Sequence, residues 1–213
     1  APGGDYSWWT IVRESNFQKS DEEKLTGYIK ANARQRTEKT NAGISEKLMS
    51  EEIKKSVTAL RRHQKFTKLI RRHGPPELKR GGNVFQALTR SIVYQQLSGK
   101  AAATIFKRFL ALFPKGKFPT PEQVKKVSFA KLRGVGLSGQ KATYVLDLAK
   151  KFADGSIKHR KLSKMTNEEI IEHLTQVKGI GEWTAHMFLI FTLNRPNVFP
   201  TGDLGVRKGF QKL

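Results

Sequence analysis

A chain of 213 residues with 38% hydrophobic content can bury a sizeable core, as one domain or two small lobes, which excludes a disordered polymer. Its 40 Lys and Arg against 18 Asp and Glu give a formal charge of +22, which points to a polyanionic partner, nucleic acid first. The absence of cysteine excludes disulfides, thiolate zinc sites, iron–sulfur clusters and a cysteine nucleophile, and no apolar run approaches the roughly 18 residues of a membrane span.

The first residues, "APGGDYSWWTIVRE", lack an initiator methionine, so a processed chain or a fragment is expected. Residues 1–58 read as a basic, polar amino-terminal extension of helical character, with Asp21, Ser45 and Ser50 placed as helix caps. The Pro- and Gly-rich "RRHGPPELKRGG" at 71–82 marks a turn or boundary, with the compact core after it.

Beyond Asn83, Val84, Ala87, Leu88, Ile92, Val93 and Leu97, then Ala101, Ala102, Ile105, Phe106, Phe109, Leu110 and Phe113, recur at helical spacing and predict two packed helices. Thr120-Pro121-Glu122-Gln123 opens another. A longer helix enters at Ser138 or Gly139 and leaves at Gly155, and "TNEEIIEHLTQV" starts one with Thr166 or Asn167 as cap. Strand alternation is absent, so the fold class is all-α, without an internal repeat. The five histidines, including His159, His173 and His186, show no metal-ligand spacing.

In "TQVKGIGEWTAHMF", residues 175–188, two glycines stand two apart at the mouth of a helix. Glycine reaches backbone angles closed to other residues, so two helices can meet through a tight hairpin whose amides point outward beside a positive helix end, a site for a phosphate oxygen. An ordinary glycine turn is the bland alternative; Lys178 within the turn and the surrounding charge favour the phosphate site. "LRGVGLSGQKA" at 132–142 also holds Gly-x-Gly, but extra residues precede its helix, and it reads as a connecting turn. In "NRPNVFPTGDLGVRKGF", Asp203 is either a helix cap or a carboxylate held in a groove beside DNA.

Taken together, "VKGIGEWTAHMFLIFTLNRPNVFPTGDLGVRKG" and the upstream "TRSIVYQQLSGKAAATIFKRF" resemble the helix-hairpin-helix DNA glycosylase superfamily, in its 3-methyladenine (alkylpurine) branch, over roughly residues 60–213. The resemblance implies a two-lobed, multi-helix glycosylase domain over 59–213. It also implies a monomer that excises alkylated purines, of the 3-methyladenine and 7-methylguanine type, from double-stranded DNA. Asp203 matches the catalytic carboxylate, and Lys178, Gly179, Gly181 and Thr184 match the DNA-binding hairpin. The carbonyls of Thr175, Val177 and Ile180 match positions that hold a monovalent cation, Na+ or K+; no organic cofactor is implied. Trp183 stands where bifunctional relatives carry a Schiff-base lysine, which implies base removal without strand cleavage. Trp183, Phe191 and Tyr94 are the aromatic candidates for the base pocket. Gln96, Leu97 or Ser98 matches the residue that fills the hole left in the duplex.

The chain ends at Leu213, ten residues after Asp203, where relatives continue through further helices. Either truncation or substitution by the amino-terminal helices is expected. A nuclear location is expected in a eukaryote, the cytoplasm or nucleoid in a prokaryote, with no membrane association. Two alternatives stay open: a non-catalytic helix-hairpin-helix module that only grips DNA, and a glycosylase for another lesion such as uracil or an oxidised purine.

Overall fold

The computed structural model describes residues 51–74, 82–114, 117–195 and 197–212. The expected caps Asp21, Ser45 and Ser50 lie outside these residues. Every regular element among the described residues is helical. The chain divides into two compact units: Lys79–Val206, and a second formed by Ala1–Leu78 with Arg207–Leu213.

The second unit contains α1 (Glu51–Leu60) and α2 (Gln64–His73). Arg71 and Arg72 put cations at the negative end of the α2 dipole, and Gly74 closes the helix at φ +77°.

The larger unit contains α3 (Val84–Tyr94), α4 (Gly99–Leu110), α5 (Pro121–Lys125), α6 (Phe129–Gly134) and α7 (Gly139–Ala153). A 3-10 helix (His159–Lys164), α8 (Asn167–Thr175) and α9 (Glu182–Phe191) follow, and α10 (Leu204–Gln211) begins within it. Asn83, Ser98, Thr120, Ser128, Ser138 and Thr166 each accept the N–H three residues on, which stabilises each helix start by about 1 kcal/mol. Thr120 with Gln123 and Thr166 with Glu169 close reciprocal capping boxes. The turn between α6 and α7 uses Gly136 at φ +103°, a connection as its sequence suggests.

The apolar stripe of α7, Ala142, Val145, Leu148, Ala149 and Phe152, is buried, and the helix packs on α3, α5 and α6. The rings of Phe85, Phe106, Phe109, Phe118 and Phe152 pack with centroids 5.2–6.5 Å apart. Nearly apolar all round, α9 packs against α8 and α3 and buries Ala185, Met187, Phe188 and Leu189. The α3–α4 turn and the α8–α9 hairpin are thereby anchored on one core.

Candidate active site

The chain turns from α8 to α9 within six residues. Gly179 adopts φ +81°, and a Cβ there would fall inside the Tyr144 ring, so both backbone angle and space demand glycine. Gly181 differs from the sequence expectation: it is extended at φ −92°, ψ 175°, and an added Cβ would meet nothing within 4 Å. Only Gly179 supplies the unusual angle, whereas Gly181 keeps the approach to the helix end clear.

The first bond of α9 runs from Ala185 N–H to the Gly181 carbonyl. The amides of Glu182, Trp183 and Thr184 precede it, in the turn where a helix offers N–H groups to an outside acceptor. Thr184 is 5% exposed, and it is the amide of this residue that belongs to the presenting turn.

Asp147 and Gln95 hold the hairpin in place. Asp147 Oδ2 accepts the Lys178 N–H at 2.8 Å while Lys151 Nζ donates to the same carboxylate at 2.6 Å. Burial raises the Asp147 carboxyl, but the Lys151 hydrogen bond, the Lys178 amide and both lysine charges outweigh it and hold it below its ordinary value. Gln95 Nε2 donates to the Gly179 carbonyl at 2.8 Å. The Lys178 side chain is exposed. The Val177 carbonyl accepts the Ile180 N–H at 3.0 Å, which leaves a second lone pair on that oxygen.

The loop after α9 is pinned before it reaches Asp203. Arg195 Nη2 donates to the carbonyls of Leu162, Ser163 and Met165 at 3.4, 3.3 and 2.9 Å, and Asn167 Nδ2 donates to the Asn197 carbonyl at 3.0 Å. Asp203 itself is 4% exposed. Its Oδ1 accepts the Val206 N–H at 2.8 Å, and its Oδ2 accepts the Trp183 indole N–H at 2.8 Å. Asp203 thus caps α10 with one oxygen, as the sequence offers, while its other oxygen holds the indole of α9. A buried carboxylate needs such donors, because an unpaired one costs several kcal/mol of desolvation.

The other candidates separate. Tyr94 is 9% exposed and belongs to the core cluster, with the Arg90 guanidinium 4.6 Å above its ring and Phe106 packed edge-on. Trp183 and Phe191 are both half-buried on α9, eight residues or about 12 Å of helix rise apart, and Trp183 is the one bonded to Asp203. Leu97 packs against the core, and the Ser98 hydroxyl caps α4. Gln96 is exposed at φ +53°, a conformation uncommon for a non-glycine residue.

Residues 89–213 match the family model of the HhH-GPD superfamily base excision DNA repair proteins. This chain belongs to that superfamily. It is 38% identical over 151 residues to the DNA-3-methyladenine glycosylase 1 of Schizosaccharomyces pombe, covering 70% of this chain and 66% of that one. The chain spans about half to two thirds of the length of the curated relatives it matches. Among solved structures it resembles the S. pombe 3-methyladenine DNA glycosylase in complex with abasic DNA, with TM-score 0.65 and 34% identity over 73% of this chain and 79% of that one. A DNA-3-methyladenine glycosidase from Bacillus halodurans superposes with TM-score 0.66 and 37% identity over 75% of this chain and 72% of that one. Those relationships agree with the all-helical fold and with the hairpin of this HhH-GPD chain.

The Trp183–Asp203 bond, the Asp147 anchor and the Arg195 clamp went unrecognised in the sequence. Each joins residues 20 or more apart, and a hydrogen bond between distant positions leaves no periodic trace.

Proposed function

We propose that this chain is a monofunctional DNA glycosylase of base excision repair, removing alkylated purines from duplex DNA. The observation that carries the reading is Asp203, a buried carboxylate fixed by the indole of the helix that the hairpin opens.

In this reading a phosphate lies against the hairpin at Gly179 and Gly181, beside Lys178. The damaged nucleotide leaves the stack, which costs a few kcal/mol. Trp183 offers its ring face to the base, with Phe191 further along α9. A cationic alkylpurine gains roughly 0.5–2 kcal/mol from such a face. Gln96, exposed in its turn with a hydroxyl-free side chain that caps no helix, fills the vacated place in the duplex.

The N-glycosidic bond then breaks and its electron pair passes to the purine, neutralising it. The sugar is left as an oxocarbenium ion, which Asp203 at about 4 Å would stabilise by ~4 kcal/mol at an effective dielectric of 20. Water adds to the anomeric carbon, oriented by Asp203, and its proton leaves to solvent. Trp183 supplies no amine, so no Schiff base forms and the strand stays intact.

The carbonyls of Thr175, Val177 and Ile180 would hold a monovalent cation, a hard ion suited to oxygen donors. The protein acts as a monomer where chromosomal DNA lies, the nucleus in a eukaryotic cell. The test is incubation with alkylated duplex DNA and chromatography of the released bases. Release of 3-methyladenine or 7-methylguanine is the expected result; retention of every base overturns the reading.

A further inference from the structure

One face of α7 meets both of the turns that the proposed function directs at DNA. Lys141, Tyr144 and Asp147 recur three residues apart along it. Tyr144 fills the space beneath Gly179, and Asp147 takes the Lys178 N–H. Lys141 serves the other turn. Its Nζ donates to the Val93 carbonyl at 2.8 Å and to the Gln95 carbonyl. Gln95 N–H bonds to Ile92 and Leu97 N–H to Tyr94, so the lysine takes up carbonyls that the helix end itself does not use, as a cation at the negative end of the α3 dipole.

The peptide that Lys141 grips leads directly into Gln96 at φ +53°. A non-glycine residue persists there only when its surroundings over-determine it. Two restraints do so: Lys141 on the Gln95 carbonyl, and the Gln95 side chain on the Gly179 carbonyl. The second restraint also ties the Gln96 turn to the hairpin.

We infer that Lys141 is a positioning residue that sets the register between the Gln96 turn and the phosphate-binding hairpin, so that gripping the backbone places Gln96 at the hole in the duplex. The inference rests on the glycosylase reading above and extends it. Lys141 touches neither the base nor the sugar in this account; it acts through the Gln95–Gln96 peptide.

The test measures the ratio of affinities for two duplexes of one sequence, undamaged and carrying a tetrahydrofuran abasic-site analogue, with 2-aminopurine beside the analogue to report insertion. Lys141→Met is expected to lower the preference for the abasic duplex and the insertion signal about tenfold, the loss of charged hydrogen bonds, while the Kd for undamaged duplex stays within about twofold. Lys141→Arg, which can serve both carbonyls, restores most of the preference. In a Gln96→Ala background Lys141→Met should change the preference less than about twofold, because the residue it positions is gone. Gln95→Leu, which deletes only the link to Gly179, should show the same non-additivity and covers the case in which Lys141→Met fails to fold. Equal effects of Lys141→Met with and without Gln96, or parallel loss on both duplexes, would overturn the inference. A wild-type protein that neither prefers the abasic duplex nor releases bases sinks the glycosylase reading itself, a failure visible before any variant is made.

Discussion

Asp203→Asn separates charge from shape, and the geometry sets the size of both effects. Asparagine keeps an oxygen for the Val206 N–H, so the cap on α10 survives. It then turns an amide N–H toward the Trp183 indole N–H, where the carboxylate offered an acceptor. One of two donors loses its partner at a site 4% exposed, a cost of about 1–3 kcal/mol. At about 2–4 °C per kcal/mol for a chain of this size, the melting temperature should fall by several degrees. The chemical loss is larger, because removing a charge worth ~4 kcal/mol at about 4 Å slows excision roughly a thousandfold. Binding should hold or tighten, since a negative charge has left the neighbourhood of the phosphates. Single-turnover base release well below the melting midpoint, with a titration on the same lesion duplex, reads both quantities. Trp183→Phe supplies the control: it keeps a ring and the charge but frees Oδ2, so its excision rate should fall between those of wild type and Asp203→Asn. Near-normal excision by Asp203→Asn would reduce the residue to a helix cap, and an unchanged melting temperature would refute the two-donor arrangement.

The two hairpin glycines should behave differently. Gly179→Ala, strained at φ +81° and driven into Tyr144, should destabilise the fold by about 1–3 kcal/mol, whereas Gly181→Ala should leave thermal stability within about 0.5 kcal/mol and weaken duplex binding in fluorescence titrations. Binding to undamaged duplex should fall steeply between 50 and 200 mM salt, roughly as expected for several phosphate contacts; a flat response removes the DNA reading. Borohydride should trap no covalent complex on lesion DNA, and strand breaks should appear only after alkali. His173 Nε2 accepts the Lys158 N–H at 2.8 Å, and burial together with the Lys158 charge lowers its pKa from the ordinary 6.5. The native state therefore binds fewer protons here than the unfolded chain, so this contribution to stability is full above 6.5 and is lost as pH falls toward the folded value. Chemical denaturation across pH should show that slope, and His173→Gln should flatten it.

Local chemistry was legible in the sequence, and distant pairing was not. Thr120, Ser138 and Thr166 announce their helices because a cap and its N3 amide are three residues apart. The glycine pair at 179 and 181 announces the hairpin for the same reason, although only the structure shows that Gly179 alone needs a positive φ. Tyr94 illustrates the converse: an aromatic on an amphipathic helix reads equally as pocket or core, and although its Arg90 neighbour is one turn away on the same helix, its burial against Phe106 of α4 comes from tertiary packing. Gln96, Leu97 and Ser98 read alike in the sequence, since the positive φ of Gln96 and the hydrogen bond of Gln95 to Gly179, spanning 84 residues, appear only in the fold.

The indole bond to Asp203 also bears on how one branch of such enzymes could turn into another. The resemblance places a nucleophilic lysine at position 183 in strand-cleaving relatives, which suggests a one-step route from this chain to theirs. The contact at 2.8 Å argues against it. A lysine substituted there would find the carboxylate waiting and pair with it, which favours the ammonium form and takes away the free amine that attack on the sugar requires. The same ion pair would spend the negative charge that the proposed chemistry uses. On the glycosylase reading, Trp183→Lys alone is therefore expected to lose base release without gaining strand cleavage, so the identity of the side chain that bonds Asp203 decides which chemistry that carboxylate is left free to support.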